Sequence, residues 1–138
     1  MPSQRNRVFL LLAAALLLAV AVLGAFFADR GHENRDLRLK AQAMTGGNIR
    51  RGMSLFTQYG CGGCHTVMGM PQASGMVGPP LDGVAARAII GGRLENKPDN
   101  MMKWIQHPQA VSPGTAMPEL GVTPRDSRDI AAFLYTRT

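Results

Sequence analysis

The sequence predicts an all-α fold in two parts, one N-terminal helix able to cross a membrane and a small helical domain behind it. Three observations carry that prediction. Val8 to Ala28 is a run of 21 residues without a charge. Three later stretches, beginning near Asn48, Pro98 and Thr123, set apolar side chains at helical spacing behind capping residues and prolines. Between the first two lies Cys61-Gly62-Gly63-Cys64-His65, followed by a segment rich in glycine, proline and methionine.

Composition bounds the function classes. The chain has 138 residues, room for one domain and an appendage, and a formal net charge of +6. Residues 46–138 hold nine Lys/Arg against six Asp/Glu. No basic block with interleaved aromatics occurs, so nucleic acid is not an expected partner. Both cysteines of the chain belong to one motif, which leaves none for a disulfide elsewhere. A domain of this size buries only a modest core. A large apolar prosthetic group would supply part of the missing interior.

The uncharged run is preceded by Arg5 and Arg7. At 1.5 Å per helical residue it spans about 31 Å, the thickness of a bilayer's hydrocarbon core. A cleaved signal peptide is the rival reading, with Ala19-Val20-Ala21 as its exit, but apolar sequence continues through Phe26 and Phe27. Residues 1–28 are therefore read as a retained membrane anchor. Residues 29–45 read as a charged linker, a short helix or a flexible tether, and Gly46-Gly47 marks the start of a globular domain over 46–138. Arg30, Arg35, Arg38 and Lys40 outnumber Arg5 and Arg7, so loop charge alone does not set the orientation.

A C-x-x-C-H run reads as the attachment site of a c-type haem. Two thiols must reach two vinyl groups of one porphyrin while the next side chain offers an imidazole to the iron. Gly62 and Gly63 ease that tight geometry. A thioredoxin-like pair would want a βαβ setting, and a four-ligand zinc site would want a second Cys/His cluster. Neither is visible in the sequence.

Asn48 is a plausible N-cap for a helix to about Tyr59, with Gly52, Leu55 and Phe56 on one face. Thr123-Pro124-Arg125-Asp126 has a capping threonine, a proline at the first helical position and an acid three residues after the cap. Ile130, Phe133 and Leu134 follow as an apolar stripe, expected to pack across Gly52 and Phe56. A third helix is expected from Pro98 to about Gln106, capped by Asn96-x-x-Asp99 and stopped by Pro108. Its apolar face would be Met101, Trp104 and Ile105, with Trp104 lining the haem crevice.

A ligating imidazole normally donates its second N–H to a carbonyl or carboxylate. The rigid Pro79-Pro80 turn is a candidate source of that carbonyl, although by spacing alone it is equally a stiff loop; Leu81 would cover the porphyrin face. Six methionines follow the haem motif. Met117, held between the Pro113-Gly114 turn and Pro118, is the best candidate for a sixth iron ligand. Met76 and His107 remain open alternatives.

Taken together, these residues resemble the class I single-haem cytochromes c. The resemblance covers about Gly46 to Thr136 and rests on Gly52-x-x-Leu55-Phe56, the C-G-G-C-H run, Gly78-Pro79-x-Leu81-x-Gly83, Pro113-Gly114-Thr115-x-Met117-Pro118 and the Ile130–Leu134 helix. It is similar above all to the modules that serve haem-copper oxidases, membrane-anchored or fused to oxidase subunit II. There the stretches Asp99–Ile105 and His107–Val111 have counterparts.

The resemblance implies an all-helical class I cytochrome c fold around one covalently attached haem c. Cys61 and Cys64 would form the thioethers, and His65 and Met117 the proximal and distal ligands. Pro79 would accept from His65, and Arg87 would contact a haem propionate. Lys97 stands where relatives tend to have a capping threonine, which puts the start of the third helix in question. The implied role is a one-electron carrier of a respiratory chain, not an enzyme, on the periplasmic side of the inner membrane. Its implied partners are a cytochrome bc-type donor and a haem-copper terminal oxidase, with Arg93, Lys97 and Lys103 as candidate steering charges. The rival readings are an integral cytochrome c subunit of an oxidase or reductase, and a haem peroxidase with a displaceable Met117.

Overall fold

The structure, a computed structural model, describes residues 4–138. Helix α1 runs Gln4–Thr45 without interruption, so the charged linker is helical and no tether separates it from the apolar run. The surrounding alanines, leucines and charged residues are good helix formers, and Gly24 and Gly31 each cost only about 1 kcal/mol against them. The chain forms two compact units, the first ending at Asp36 and the second running Leu37–Thr138.

In the first unit the apolar stretch is long and apolar enough to cross a membrane, and its side chains lie exposed. Where that stretch gives way to charge, the Arg30 guanidinium lies 4.7 Å from the centroid of the Phe26 ring. This is the behaviour of a long cation that covers apolar surface while keeping its head wet.

The second unit begins inside the expected linker. Ala41 and Thr45 are buried in its core, and the Thr45 hydroxyl donates to the Ala41 carbonyl at 2.8 Å. Gly46, at φ 66°, then closes the helix, its N–H donating to the Gln42 carbonyl. Four more helices follow: α2 (Ile49–Gln58), α3 (Pro98–Gln106), α4 (Pro108–Val111) and α5 (Pro124–Leu134). Two short 3₁₀ turns, Cys61–Gly63 and Val84–Ala86, lie in the long connection after α2. The only strands among the described residues are β1 (Ile89–Ile90) and β2 (Leu94–Glu95), an antiparallel pair with Ile89 opposite Glu95. Gly91 and Gly92 make their turn with both φ angles positive, which allows so tight a reversal.

The expected caps of α2 and α5 are present. The Asn48 side chain accepts from the Arg51 N–H at 3.0 Å, and Thr123 Oγ1 accepts from the Asp126 N–H at 3.1 Å. The expected cap of α3 is not. Asn96 turns its amide the other way, donating to the carbonyls of Val84 (2.9 Å) and Arg87 (2.8 Å). Lys97 takes the cap position without a side-chain bond, and Pro98 starts the helix. A cap uses the Asn96 side chain as an acceptor only, whereas the loop offers its amide two carbonyls to donate to. Pro108 does end α3, but it also opens α4 from the first helical position, where its missing N–H costs nothing.

Helices α2 and α5 pack backbone to backbone. A Cβ added at Gly52 would overlap the Asp129 carbonyl, so glycine is required there for closeness. One turn on, the Phe56 and Phe133 rings meet at 5.6 Å and 60°. Ionic contacts frame the crossing. Arg51 reaches Asp126 at 2.7 Å and Asp129 at 3.0 Å, Tyr59 donates to Asp126 at 2.9 Å, and the Asn48 N–H donates to Asp129 at 2.6 Å. Arg51, helped by Tyr59 and Thr123, holds the Asp126 carboxyl below its ordinary value of 3.8.

Two measurements probe this crossing. Gly52→Ala is expected to destabilise the domain by about 2 kcal/mol through overpacking, read as a lower guanidinium midpoint. For Asp126, the folded pKa is the lower one. Its stabilising effect is therefore present above the unfolded value of 3.8 and is lost as the pH falls through the folded value. Asp126→Asn should be less stable than the parent at neutral pH, and the gap should close under acid. A gap that did not change with pH would remove the ionic explanation.

Candidate haem site

Helix α2 delivers the motif. At its end Gly60, with φ 73°, turns the chain into the 3₁₀ turn Cys61–Gly63. The Cys61 carbonyl then accepts from both the Cys64 and His65 N–H groups, at 3.2 and 3.0 Å. This curl puts both sulfurs and the imidazole on the wall of one cavity of about 620 Å³. Gly62 is needed for closeness to the Gln72 carbonyl, whereas Gly63 faces open space.

The loop after His65 orients the ring. Its Nδ1 lies 2.8 Å from the Pro79 carbonyl. A carbonyl can only accept, so Nδ1 carries the proton and Nε2 is left with a free lone pair. The Gly78 N–H donates to the Cys64 carbonyl at 2.8 Å, and a Cβ at Gly78 would strike the imidazole itself. The Leu81 N–H donates to the Thr66 carbonyl at 2.9 Å, which brings Leu81, buried, onto the cavity wall.

Other parts of the wall come from α3, α5 and the segment Thr115–Pro118. Met101, Trp104 and Ile105 of α3 and Ile130 and Leu134 of α5 line it, with Met117 beside them. Gly91 lies against the Trp104 ring, where a Cβ would overlap the indole. The fold thus brings Cys61, Cys64, His65, Pro79, Leu81, Arg87, Trp104 and Met117 to a single cavity. The two alternatives to Met117 are placed elsewhere. Met76 is 90% exposed and off the cavity wall. His107 lies outside the wall as well, its Nδ1 3.6 Å from a Glu119 oxygen.

Three residues do something the sequence did not signal. Arg87 lines the cavity but turns Nη2 to the Pro80 carbonyl, the neighbour of the His65 acceptor. Asn96 ties the Val84–Arg87 stretch to α5, because the Tyr135 hydroxyl donates to its Oδ1 at 2.8 Å. Burial pushes the Tyr135 phenol up to about 12, so that proton stays in place at any physiological pH. Lys97, expected to steer a partner, is exposed and pairs with Glu95 at the surface.

The donor set fits a covalently bound haem. Burial pushes the Cys61 thiol up to about 11, so it is a protonated thiol against an apolar wall and not the exposed thiolate of a redox pair. Among the described residues no group of three or more His, Cys, Asp or Glu side chains converges to hold a metal ion. A flat apolar macrocycle matches the mainly hydrophobic lining, with His65 offering Nε2 from one side.

An all-helical domain with two thiols and an oriented imidazole at one apolar cavity is a covalent-haem domain. The sequence profile of cytochrome c matches residues 49–138, and the chain belongs to the cytochrome c family. It is an electron-transfer protein that carries covalently attached haem c. It is similar to "Cytochrome c oxidase subunit 2" of Alkalihalophilus pseudofirmus (33% identity, 61% of this chain and 24% of that one). A subunit of the same name from Bacillus sp. strain PS3 is 31% identical over 56% of this chain and 22% of its own. "Cytochrome c" of Gibberella zeae is 29% identical over 69% of this chain and 99% of its own. The chain thus spans about a quarter of the two oxidase subunits and nearly all of the fungal protein. No solved structure matches it.

Replacing both Cys61 and Cys64 with serine is expected to abolish haem that survives denaturation. The check is haem-stained gel electrophoresis of boiled, reduced protein, in which the parent should keep its pigment.

Proposed function

We propose that this protein is a one-electron carrier of a respiratory chain, working through a haem ligated by His65 and Met117. Residues 8–28 would hold it at the periplasmic face of the inner membrane, passing electrons from a cytochrome bc-type complex towards a haem-copper terminal oxidase. The observation that carries this reading is the placement of His65 and Met117 on one apolar cavity, with the His65 ring already oriented by Pro79.

Haem c supplies a reversible one-electron iron couple when bound. The chain's own residues set how that couple behaves. His65, its Nδ1–H held by the Pro79 carbonyl, is the stronger donor for that hydrogen bond. Met117 brings a soft, weak thioether that favours the ferrous state and raises the potential. The apolar wall of Leu81, Ile105, Ile130 and Leu134 disfavours the extra positive charge of the ferric state. Were His65 and Met117 both to hold the iron, neither peroxide nor oxygen would find an open position, and simple relay would be favoured. Arg87 has donors beyond the one given to Pro80, and a haem propionate is the partner we assign them.

Sidedness follows from chemistry, since covalent haem attachment in bacteria takes place outside the cytoplasmic membrane. Lys103 and Arg93, both exposed, are the steering charges of this proposal, and such steering should weaken as salt is added. The similarity to oxidase subunits supports a second reading, an integral subunit of an oxidase complex. Purification in mild detergent separates the two: a free carrier emerges alone, whereas a subunit brings stoichiometric partners.

Met117→Ala is expected to open the sixth position, so that the ferrous protein binds carbon monoxide while the parent does not. Unchanged carbon monoxide behaviour would exclude Met117 as the ligand.

A further inference from the structure

We infer that Gln109 is the positioning residue for the Met117 ligand, its side-chain amide standing in for the secondary structure that the ligand loop lacks. The inference rests on the His65/Met117 reading above and goes further, since it assigns control of the Met117 bond to a residue that does not line the haem cavity.

The segment from Ser112 to Pro118 is itself neither helix nor strand. Pro113 and Pro118 have no N–H to give. Its local bonds are few: the Thr115 N–H donates to the Ser112 carbonyl at 3.1 Å, and the Met117 N–H reaches Thr115 Oγ1 at 3.4 Å. Among the described residues no backbone N–H reaches the Thr115 or Met117 carbonyl. Gln109 satisfies both, donating from Nε2 at 2.8 Å to each. Its Oε1 accepts from the Gly114 N–H at 3.2 Å. One half-buried side chain thus grips the loop at three backbone points, using both donors and its acceptor.

The grip has a firm base. Gln109 sits in α4 between the fully buried Pro108 and the chain that turns into Ser112, whose N–H bonds the Pro108 carbonyl at 2.9 Å. Bonding the Met117 carbonyl itself fixes the backbone from which the thioether extends. A weak, neutral ligand such as a thioether is easily displaced, so the chance that it stays on the iron depends on how little the loop can move away. Without the amide, two partly buried carbonyls lose their donors and the loop gains alternative positions.

The test uses the full-length ferric holoprotein and exogenous imidazole as a competitor for the sixth position. Gln109→Leu removes all three bonds, and Gln109→Glu keeps an acceptor for Gly114 but removes both donors. Each is expected to bind imidazole about tenfold or more tightly than the parent. Each should also weaken the long-wavelength sulfur-to-iron charge-transfer band and lower the reduction potential. Should Gln109→Leu fail to mature, Gln109→Glu decides the matter by the same readings. Thr45→Ala, which loosens the domain at the end of α1 and away from the cavity wall, should leave imidazole affinity at the parental value. Parental affinity and an intact band in the Gln109 variants would overturn the inference, as would an equal rise in Thr45→Ala. Met117→Ala serves as the reference. If it binds imidazole no better than the parent, the ligand assignment itself fails; if it binds far better while the Gln109 variants do not, only the positioning role is lost.

Discussion

Everything in the haem domain depends on two helices, distant in sequence, being allowed to touch. The Gly52 backbone rests on the Asp129 carbonyl because there is no Cβ between them. Closeness there brings Phe56 onto Phe133 and lets Arg51 reach two carboxylates of α5. The consequence lies downstream. Only Tyr59 and Gly60 separate the end of helix α2 from Cys61, so fixing its axis against α5 fixes where both thiols and the imidazole begin. A shift of that crossing would move His65 relative to Ile130 and Leu134, which belong to the same cavity wall but to the other helix.

From this crossing the fold reaches the proximal side by a second, polar route. The Tyr135 hydroxyl at the end of α5 holds Asn96, Asn96 holds the carbonyls of Val84 and Arg87, and Arg87 holds Pro80. Pro79, next in line, accepts from His65. Backbone carbonyls in a loop this rich in proline have few N–H partners, so side-chain amide and guanidinium groups take their place. Gln109 does for the Met117 segment what Asn96 and Arg87 do for the His65 segment. His65 and Met117, the ligands proposed above, thus both sit on loops whose shape is set by planar, multidentate side chains and not by regular structure.

That division explains what the sequence could and could not reveal. Helical spacing, capping residues and prolines identified α2, α3 and α5 to within a residue or two, because those signals are local. The meeting of Gly52 with α5 was legible for the same reason, as a small residue on an apolar face beside a matching stripe. Asn96 was misread because its composition and position also suit a cap, and only the folded loop supplies competing carbonyls. Gln109 and Tyr135 carried no local signal, since their partners are chosen by tertiary placement. The ends of α1 were hidden too: Ala41 and Thr45 look like linker residues until the core they enter exists.

The cavity sets the last constraint. Its 620 Å³ lie against residues that are otherwise the domain's core, including Phe56, Leu81, Met101 and Ile130. Left to water, this apolar lining would cost an appreciable part of the small net stability of such a domain. The macrocycle is therefore as much a part of the interior as Phe56 is, and the polypeptide is a shell that closes on it. Attachment through Cys61 and Cys64, as proposed, would then have a physical meaning beyond retention. It would make the largest apolar component of the core part of the chain, so that folding around it becomes intramolecular and is not limited by the concentration of free haem.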